Sequence, residues 1–226
     1  MKRIEVRGTI VDDEDKWVYD LFGIPCTSPN SIADALGNDD EEATIVVNSG
    51  GGDVFAGNEI QYIISQYKGT TTADIAGIAA SIATVICCGA DKVRIVPSGQ
   101  YMIHNVSSSA SGDYRDMEKA SEILRVANQS IANTYRLKTG MTEQALLDLM
   151  DQEKWMDAKE ALKYGFVDEV IGDEGAPLYN AGAAVILPRE VIEKYKNDVG
   201  KPAKDKQRAF CINQKIRIER MRGKML

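Results

Sequence analysis

The sequence has few or none of the features that define several common functional classes. Histidine occurs once in 226 residues, and the four cysteines lack the spacing of a metal finger. No apolar run reaches the roughly 18 residues needed to span a bilayer, and the first ten residues lack the apolar centre of a signal peptide. We therefore expect a soluble, cytoplasmic protein with reduced thiols, no bound metal and no membrane partner.

Two nucleotide-binding patterns are also absent. No Gly-Lys-Ser/Thr follows the glycines at 50–52, and their spacing does not fit the dinucleotide fingerprint. The net charge of -7 disfavours nucleic acid as the main partner, because phosphate binding depends on clustered Lys and Arg. We expect no cofactor and no nucleic-acid partner.

What is present has the patterning of an α/β domain. Residues 3–11 alternate apolar and polar side chains, as in a strand near a sheet edge, and a polar turn is predicted at 12–15. Residues 44–48 are apolar and β-branched, which is typical of a buried parallel strand. The glycine loop after them leads into a helix with an apolar stripe. Strand, loop and helix form a βα unit.

A second such unit follows, and more elements come after it. We predict a strand from Thr71, a turn of small residues at 77–80 and a buried helix from Ser81 to Cys88. The other predictions are a helix at 28–37, strands at 92–96, 101–104 and 166–171, a polar loop at 107–112, and helices at 113–137, 142–150 and 158–164. The longest helix has an apolar seam that predicts contact with another subunit. The seam consists of Met117, Ala120, Leu124, Ala127 and Ile131.

The last quarter of the chain differs in charge. We divide the chain into a domain at 1–172, a loosely attached segment at 173–200 and a basic tail at 201–226. The tail has nine Lys and Arg against two acidic residues, about +7, which leaves about -14 for the first 200 residues. This asymmetry predicts a helical or disordered arm with an acidic or scaffold partner, although a plain solvated tail explains it equally well.

Two residues have the positions of a serine nucleophile and its base. Ser81 lies where small residues meet a helix start, which exposes its hydroxyl and leaves the amide of Ile82 free for an anion. His104 ends an apolar strand beside a polar loop, and no other histidine exists to act as a base near neutral pH. Each residue also has a purely structural explanation: Ser81 as a helix N-cap and His104 as a packed histidine.

The glycine segment and the residue order give further indications. Gly50, Gly51 and Gly52 permit close backbone approach to an oxyanion or a peptide strand, or else form a plain turn. The order serine, histidine, acid differs from those of α/β-hydrolases, chymotrypsin and subtilisin, and Gly-x-Ser-x-Gly does not occur. Those three families are disfavoured.

Four segments resemble, in order, the proteolytic subunit of the Clp protease family: NSGGGDVFAGNEI, GIAASIATVICCGA, YMIHNV and DAKEALKYGFVDEV. The resemblance covers roughly residues 2–172. It implies an α/β, crotonase-like fold with repeated ββα units and a long handle helix at 113–137. It also implies stacked homo-oligomeric rings, and a peptide or protein substrate bound as an extended strand in an enclosed chamber.

The same resemblance assigns roles to residues of the site. Ser81 is the nucleophile, His104 the base, and the amides of Gly51 and Ile82 form the oxyanion hole, while Gly52 helps to hold the substrate. Where the family has an orienting aspartate, this chain has Glu153, whose stem is one methylene longer. Asp151 is the competing candidate for this acid.

Departures from the family pattern resemble its virus-encoded branch, the phage prohead or capsid maturation proteases. They are the acid at 153, the polar loop at 107–112, the basic tail, and a first strand that begins near residue 3 and leaves no segment for meeting an unfolding ATPase. We therefore expect a serine endopeptidase that cleaves scaffold or capsid proteins in a host cytoplasm without ATP. The alternatives are an ATP-dependent Clp subunit that works with an unfoldase and an inactive ring-forming scaffold protein.

Two related enzyme classes fit less well. A crotonase-type acyl-CoA hydratase needs acid–base carboxylates where Ser81 and His104 lie. Signal-peptide-peptidase relatives use a Ser-Lys pair and carry a membrane anchor or export signal.

Overall fold

The computed structural model describes residues 1–172, which form one β-sheet with helices around it. The strands are β1 (Lys2–Ile10), β2 (Cys26–Thr27), β3 (Ala43–Gly52), β4 (Thr71–Ala80), β5 (Lys92–Ile95), β6 (Gln100–Ile103), β7 (Lys154–Asp157) and β8 (Glu169–Val170). The helices are α1 (Asp13–Phe22), α2 (Pro29–Leu36), α3 (Val54–Ser65), α4 (Ile82–Cys87), α5 (Tyr114–Thr139), α6 (Glu143–Asp151) and α7 (Ala158–Lys163).

The sheet topology brings three strand ends together. Six parallel strands follow the order β2-β1-β3-β4-β5-β8. Strand β4 changes partner along its length, because residues 72–75 pair with β5 and residues 78–80 pair with β6. Strand β6 also pairs with β7, in antiparallel register. The carboxyl ends of β3, β4 and β6 therefore lie side by side.

Aliphatic and aromatic side chains fill the interior. Residues 43–47 of β3 are all buried, as expected for a parallel strand covered on both faces. All six residues of α4 are buried, which its apolar sequence predicts. The ring of Phe166 packs against Tyr101 and Tyr135, with centroid separations of 5.1 and 5.5 Å. These rings tie α5 to β6 and to the chain before β8.

Most predicted elements are confirmed. The first strand, the helix after Ser28, the strand at 44–48 and the helix that follows it all form where the patterns indicate. The strands before and after the turn at 97–99, the long helix and the two helices after it also form. The α/β fold class is correct. The three cysteines in the described part, Cys26, Cys87 and Cys88, are free thiols.

The predicted turn at 12–15 is wrong. Asp12 is instead the N-cap of α1, and its side chain accepts a hydrogen bond from the Glu14 amide at 2.8 Å. The acidic residues after it occupy the first helical turn, where the helix dipole favours negative charge. Acidic clusters suit turns and helix starts alike, so composition alone misassigned this segment.

The two segments of small residues are not a loop and a turn, as predicted, but continue their strands. Gly51 and Gly52 pair with Thr9 and Ile10, and residues 78–80 pair with β6. Pairing with neighbouring strands outweighs the weak strand preference of glycine and alanine. The predicted last strand at 166–171 is shortened to β8, and the four-residue β7 was not predicted.

The long helix is buried unevenly along its predicted seam. Ile131 is buried, Leu124 and Ala127 are half-buried, and Met117 is exposed. None of the helices within residues 1–172 is long and apolar enough to cross a membrane. The segment predicted at 173–200 and the basic tail at 201–226 lie outside the described residues.

Candidate active site

Ser81 occupies a strained junction between β4 and α4. Its φ of 56° and ψ of -132° lie outside the regions that non-glycine residues favour, at a cost of about 1–3 kcal/mol. The Ser81 amide donates to the Met102 carbonyl at 2.9 Å, and the Thr84 amide donates to the Ser81 carbonyl at 3.0 Å. The strand partner and the helix start together hold this conformation.

His104 lies directly against Ser81. Because Ala80 pairs with Met102, the residues that follow β4 and β6 leave the sheet side by side. The His104 Nε2 and the Ser81 Oγ are 2.7 Å apart, within hydrogen-bond distance. An imidazole in this position is able to accept the serine proton during attack on a carbonyl. The structure thus joins the two residues that the sequence singles out.

The two candidate acids have other partners in this structure. The Glu153 Oε1 accepts from the Trp155 indole at 3.4 Å, and the Asp151 Oδ1 accepts from the Asn105 amide at 2.7 Å. No hydrogen bond joins either acid to His104 in the described part of the chain. The predicted third member is therefore not hydrogen-bonded to the pair.

Strand register distinguishes the two acids. In the antiparallel β6–β7 pair, Ile103 lies opposite Lys154. Glu153 and His104 are the next residues beyond that pair, Glu153 just before β7 and His104 just after β6. Glu153 itself has a φ of 48°, so the chain turns sharply there. Asp151 is two residues further along and is bound by Asn105.

The glycine segment approaches Ser81 so closely that a side chain does not fit. Gly51 has a φ of +97°, and a Cβ there would lie 2.7 Å from the Ser81 Cβ and 2.8 Å from the Ala80 carbonyl oxygen. At Gly52 a Cβ would lie 2.1 Å from the Ile10 carbonyl oxygen. Both positions require glycine because backbone or Ser81 atoms occupy the space.

The two predicted oxyanion donors differ in their bonding. Ile82 is the first residue of α4, so its N–H has no partner within the helix. The Gly51 N–H donates to the Ser49 Oγ at 3.1 Å, and the Ser49 hydroxyl donates to the Gly8 carbonyl at 2.6 Å. Sequence reasoning missed Ser49, although a serine just before a glycine run is a visible signal for side-chain bonding to the loop.

A small cavity of about 70 Å³ opens beside Ser81 and His104. Besides these two residues it is lined by Gly52, Val54, Ile82, Val106, Ser107, Ile131 and Tyr135. Gly52, whose role in holding the substrate stays a prediction, is among these lining residues. Within residues 1–172, no group of three or more His, Cys, Asp or Glu is placed to hold a metal ion. The cavity therefore opens directly onto the serine–histidine pair.

Curated relatives of this chain are Clp protease subunits. Relatives named ATP-dependent Clp protease proteolytic subunit are 31% identical over 137 residues in Deinococcus radiodurans and 32% identical over 131 residues in Streptococcus mutans. These matches cover 59% and 56% of this chain and 67% of each relative. The chain thus matches about two thirds of the length of these relatives.

A solved structure shows the same fold. A ClpP1 mutant from Listeria monocytogenes superposes with a TM-score of 0.63 at 23% identity, covering 76% of this chain and 92% of the other. A model of the family described as Clp protease matches residues 33–174, which is more than half of the chain. With the α/β fold and the serine–histidine contact, these matches show that the chain belongs to the Clp protease family of serine peptidases.

Proposed function

We propose that this chain is a serine endopeptidase in which Ser81 is the nucleophile and His104 the general base. The observation that carries the proposal is the 2.7 Å contact between Ser81 Oγ and His104 Nε2 at a strained strand–helix junction. Strained backbone at a nucleophile is a common feature of functional sites.

The chemistry follows from this placement. His104 takes the Ser81 proton as Oγ bonds to the substrate carbonyl carbon, and the carbonyl oxygen becomes an oxyanion. The amides of Ile82 and Gly51 stabilise that oxyanion. His104 then gives the proton to the leaving amine, and water hydrolyses the acyl-enzyme by the same steps in reverse. For Gly51 to take part, its N–H must leave the Ser49 hydroxyl.

Glu153 is proposed as the acid that orients His104. Glu153 and His104 directly adjoin the last β6–β7 pair, Ile103 with Lys154, whereas Asp151 is bound to Asn105. In this structure its carboxylate contacts Trp155, and that contact, at 3.4 Å, is long. A rotation of the glutamate side chain to the imidazole Nδ1 would complete a triad.

We further propose a viral setting, in which homo-oligomeric rings cleave scaffold or capsid proteins during head maturation. Glutamate at the acid position, the exposed loop at 107–112 and the basic tail sequence support this proposal. The names of the relatives favour the alternative, an ATP-dependent subunit that works with an unfoldase. Purified protein is expected to cleave a scaffold protein without ATP. Degradation of a folded substrate only when an unfoldase is added would overturn the viral setting.

Hydrolysis of fluorogenic peptides tests the peptidase activity itself. Wild-type protein is expected to release the fluorophore, and both Ser81→Ala and His104→Gln are expected to lose on the order of 10³-fold or more in kcat. Ser65→Ala, an exposed serine on α3, is the matched control and should match wild type. Equal rates in wild type and Ser81→Ala would support the inactive, ring-forming alternative.

A further inference from the structure

A chain of buried hydroxyl groups leads from the long helix α5 to the backbone of Ser81. The Tyr135 hydroxyl lies 2.6 Å from Thr84 Oγ1, and Thr84 Oγ1 lies 2.5 Å from the Ser81 carbonyl oxygen. Both residues are almost fully buried, with exposed fractions of 1% for Tyr135 and 0% for Thr84. Neither residue belongs to the proposed triad or to the oxyanion hole.

The direction of the hydrogen bonds follows from the chemistry of the groups. A carbonyl oxygen only accepts, so Thr84 must give its single hydroxyl proton to Ser81. The Thr84 oxygen then accepts from Tyr135, which must be the donor. Burial raises the pKa of Tyr135, so the phenol keeps the proton that it donates.

The acceptor at the end of this chain belongs to a functional peptide unit. The Ser81 carbonyl and the Ile82 N–H lie in the same planar peptide bond, so fixing one fixes the direction of the other. The Ser81 carbonyl also accepts from the Thr84 amide at 3.0 Å. Successive hydrogen bonds polarise one another in a low-dielectric interior, which makes the N–H at the other end a stronger donor.

We propose that Thr84 and Tyr135 are positioning residues that orient and polarise the Ile82 amide for the oxyanion. The inference rests on the proposed peptidase function, because it assigns a role in that reaction. Tyr135 is held rigidly for this role: its ring packs edge-on against Phe166, and its carbonyl accepts from the Thr139 hydroxyl at 2.8 Å. A displacement of α5 would therefore reach the oxyanion hole through two hydrogen bonds.

The test compares three variants with a matched control. Thr84→Val removes the hydroxyl while keeping the shape, Thr84→Ser restores it, and Tyr135→Phe removes only the phenol oxygen. Tyr101→Phe is the control, since Tyr101 is equally buried but donates at 3.2 Å to the Thr84 carbonyl, whose peptide N–H belongs to Val85. The melting temperature of each variant shows whether it has lost stability, and kcat and KM are measured on a fluorogenic peptide.

Thr84→Val and Tyr135→Phe are expected to lower kcat by roughly tenfold, less than the order of 10²–10³ for losing a whole oxyanion donor, with KM unchanged. Binding of a peptide aldehyde, whose adduct carries the oxyanion, should weaken by the same factor, while a product peptide binds as before. Thr84→Ser and Tyr101→Phe should stay within about twofold of wild type.

Two results would overturn the inference in distinguishable ways. If wild type is active and both Thr84→Val and Tyr135→Phe keep their kcat while only their melting temperatures fall, the hydroxyl chain is purely structural. If wild type itself neither hydrolyses peptides nor binds the aldehyde, the proposed function fails and the inference fails with it. If Thr84→Val does not fold, the kcat of Tyr135→Phe compared with that of Tyr101→Phe still tests the inference.

Discussion

The close approach of Gly51 to Ser81 yields a sharp prediction for Gly51→Ala. The added Cβ would lie 2.7 Å from the Ser81 Cβ, 2.8 Å from the Ala80 carbonyl oxygen and 3.2 Å from the Ser81 Oγ. Ordinary contacts with a Cβ are 3.4–4 Å. At a φ of +97° alanine is also strained, by about 1–2 kcal/mol. The glycine segment and Ser81 must therefore move apart by several tenths of an ångström.

This displacement acts on the proposed reaction in two ways. It moves the Gly51 amide away from the oxyanion, and it disturbs the Ser81 hydroxyl that His104 contacts. Loss of one oxyanion donor lowers kcat on the order of 10²–10³-fold, so we expect Gly51→Ala to lose at least that much. Its melting temperature should fall as well, since strain of about 1–2 kcal/mol is a sizeable part of a typical domain's stability.

Gly50→Ala is the matched control in the same segment. A Cβ at Gly50 meets nothing within 4 Å, and the residue does not have a positive φ. This variant should keep kcat within about twofold, because exposed substitutions without strain have small effects. Peptide hydrolysis and thermal unfolding of both variants are the assays. If Gly51→Ala is as active as Gly50→Ala, the glycine is not adjacent to a working nucleophile, and the reasoning is refuted.

Three further changes test other parts of the account. Glu153→Gln should lower kcat on the order of 10²-fold or more through loss of imidazole orientation, and Asp151→Asn much less; the reverse ranking in peptide hydrolysis would make Asp151 the acid. Ser49→Ala leaves the buried Gly51 amide without an acceptor and the Gly8 carbonyl without a donor, so the free energy of unfolding from chemical denaturation should fall by about 1–3 kcal/mol. Ser49→Thr should partly restore it, and no loss in Ser49→Ala would mean that the hydroxyl is not needed. The hydrogen bond from the Lys2 side chain lowers the pKa of Asp39 to about 2 from 3.8. The stabilisation of the folded state by the Asp39 carboxylate is therefore present above pH 3.8 and is lost as the pH falls towards 2. Asp39→Asn should flatten that acid dependence in pH titrations of stability, and an unchanged slope would argue against the pairing.

Much of the fold was predictable because its elements have strong local patterns. The helix α4, which is apolar apart from Thr84, the stripe of α3 and the long α5 form where hydrophobic spacing indicates. The extensions of β3 and β4 through small residues were not predictable, since pairing with distant strands decides them. Strand β7 has only four residues and no alternation that distinguishes it from a turn.

The site was predictable to a different degree for each residue. Ser81 and His104 have weak signals alone, and the fold brings them into contact across 23 residues of sequence. Glu153 depends on the β6–β7 register, which a sequence does not display. The Thr84–Tyr135 contact spans 51 residues and involves two unremarkable helix positions, so no local pattern marks it.

Covalent labelling by a fluorophosphonate, located by mass spectrometry of peptides, tests the central claim most directly. A fluorophosphonate reacts preferentially with a serine that a base has activated, so an adduct located on Ser81 reports the Ser81–His104 pair rather than substrate choice. We predict a single adduct on Ser81, lost in Ser81→Ala and strongly suppressed in His104→Gln, since the sequence has no second histidine. Wild-type protein that carries no adduct on Ser81 in any assembly state would contradict the assignment of this chain as a working serine peptidase.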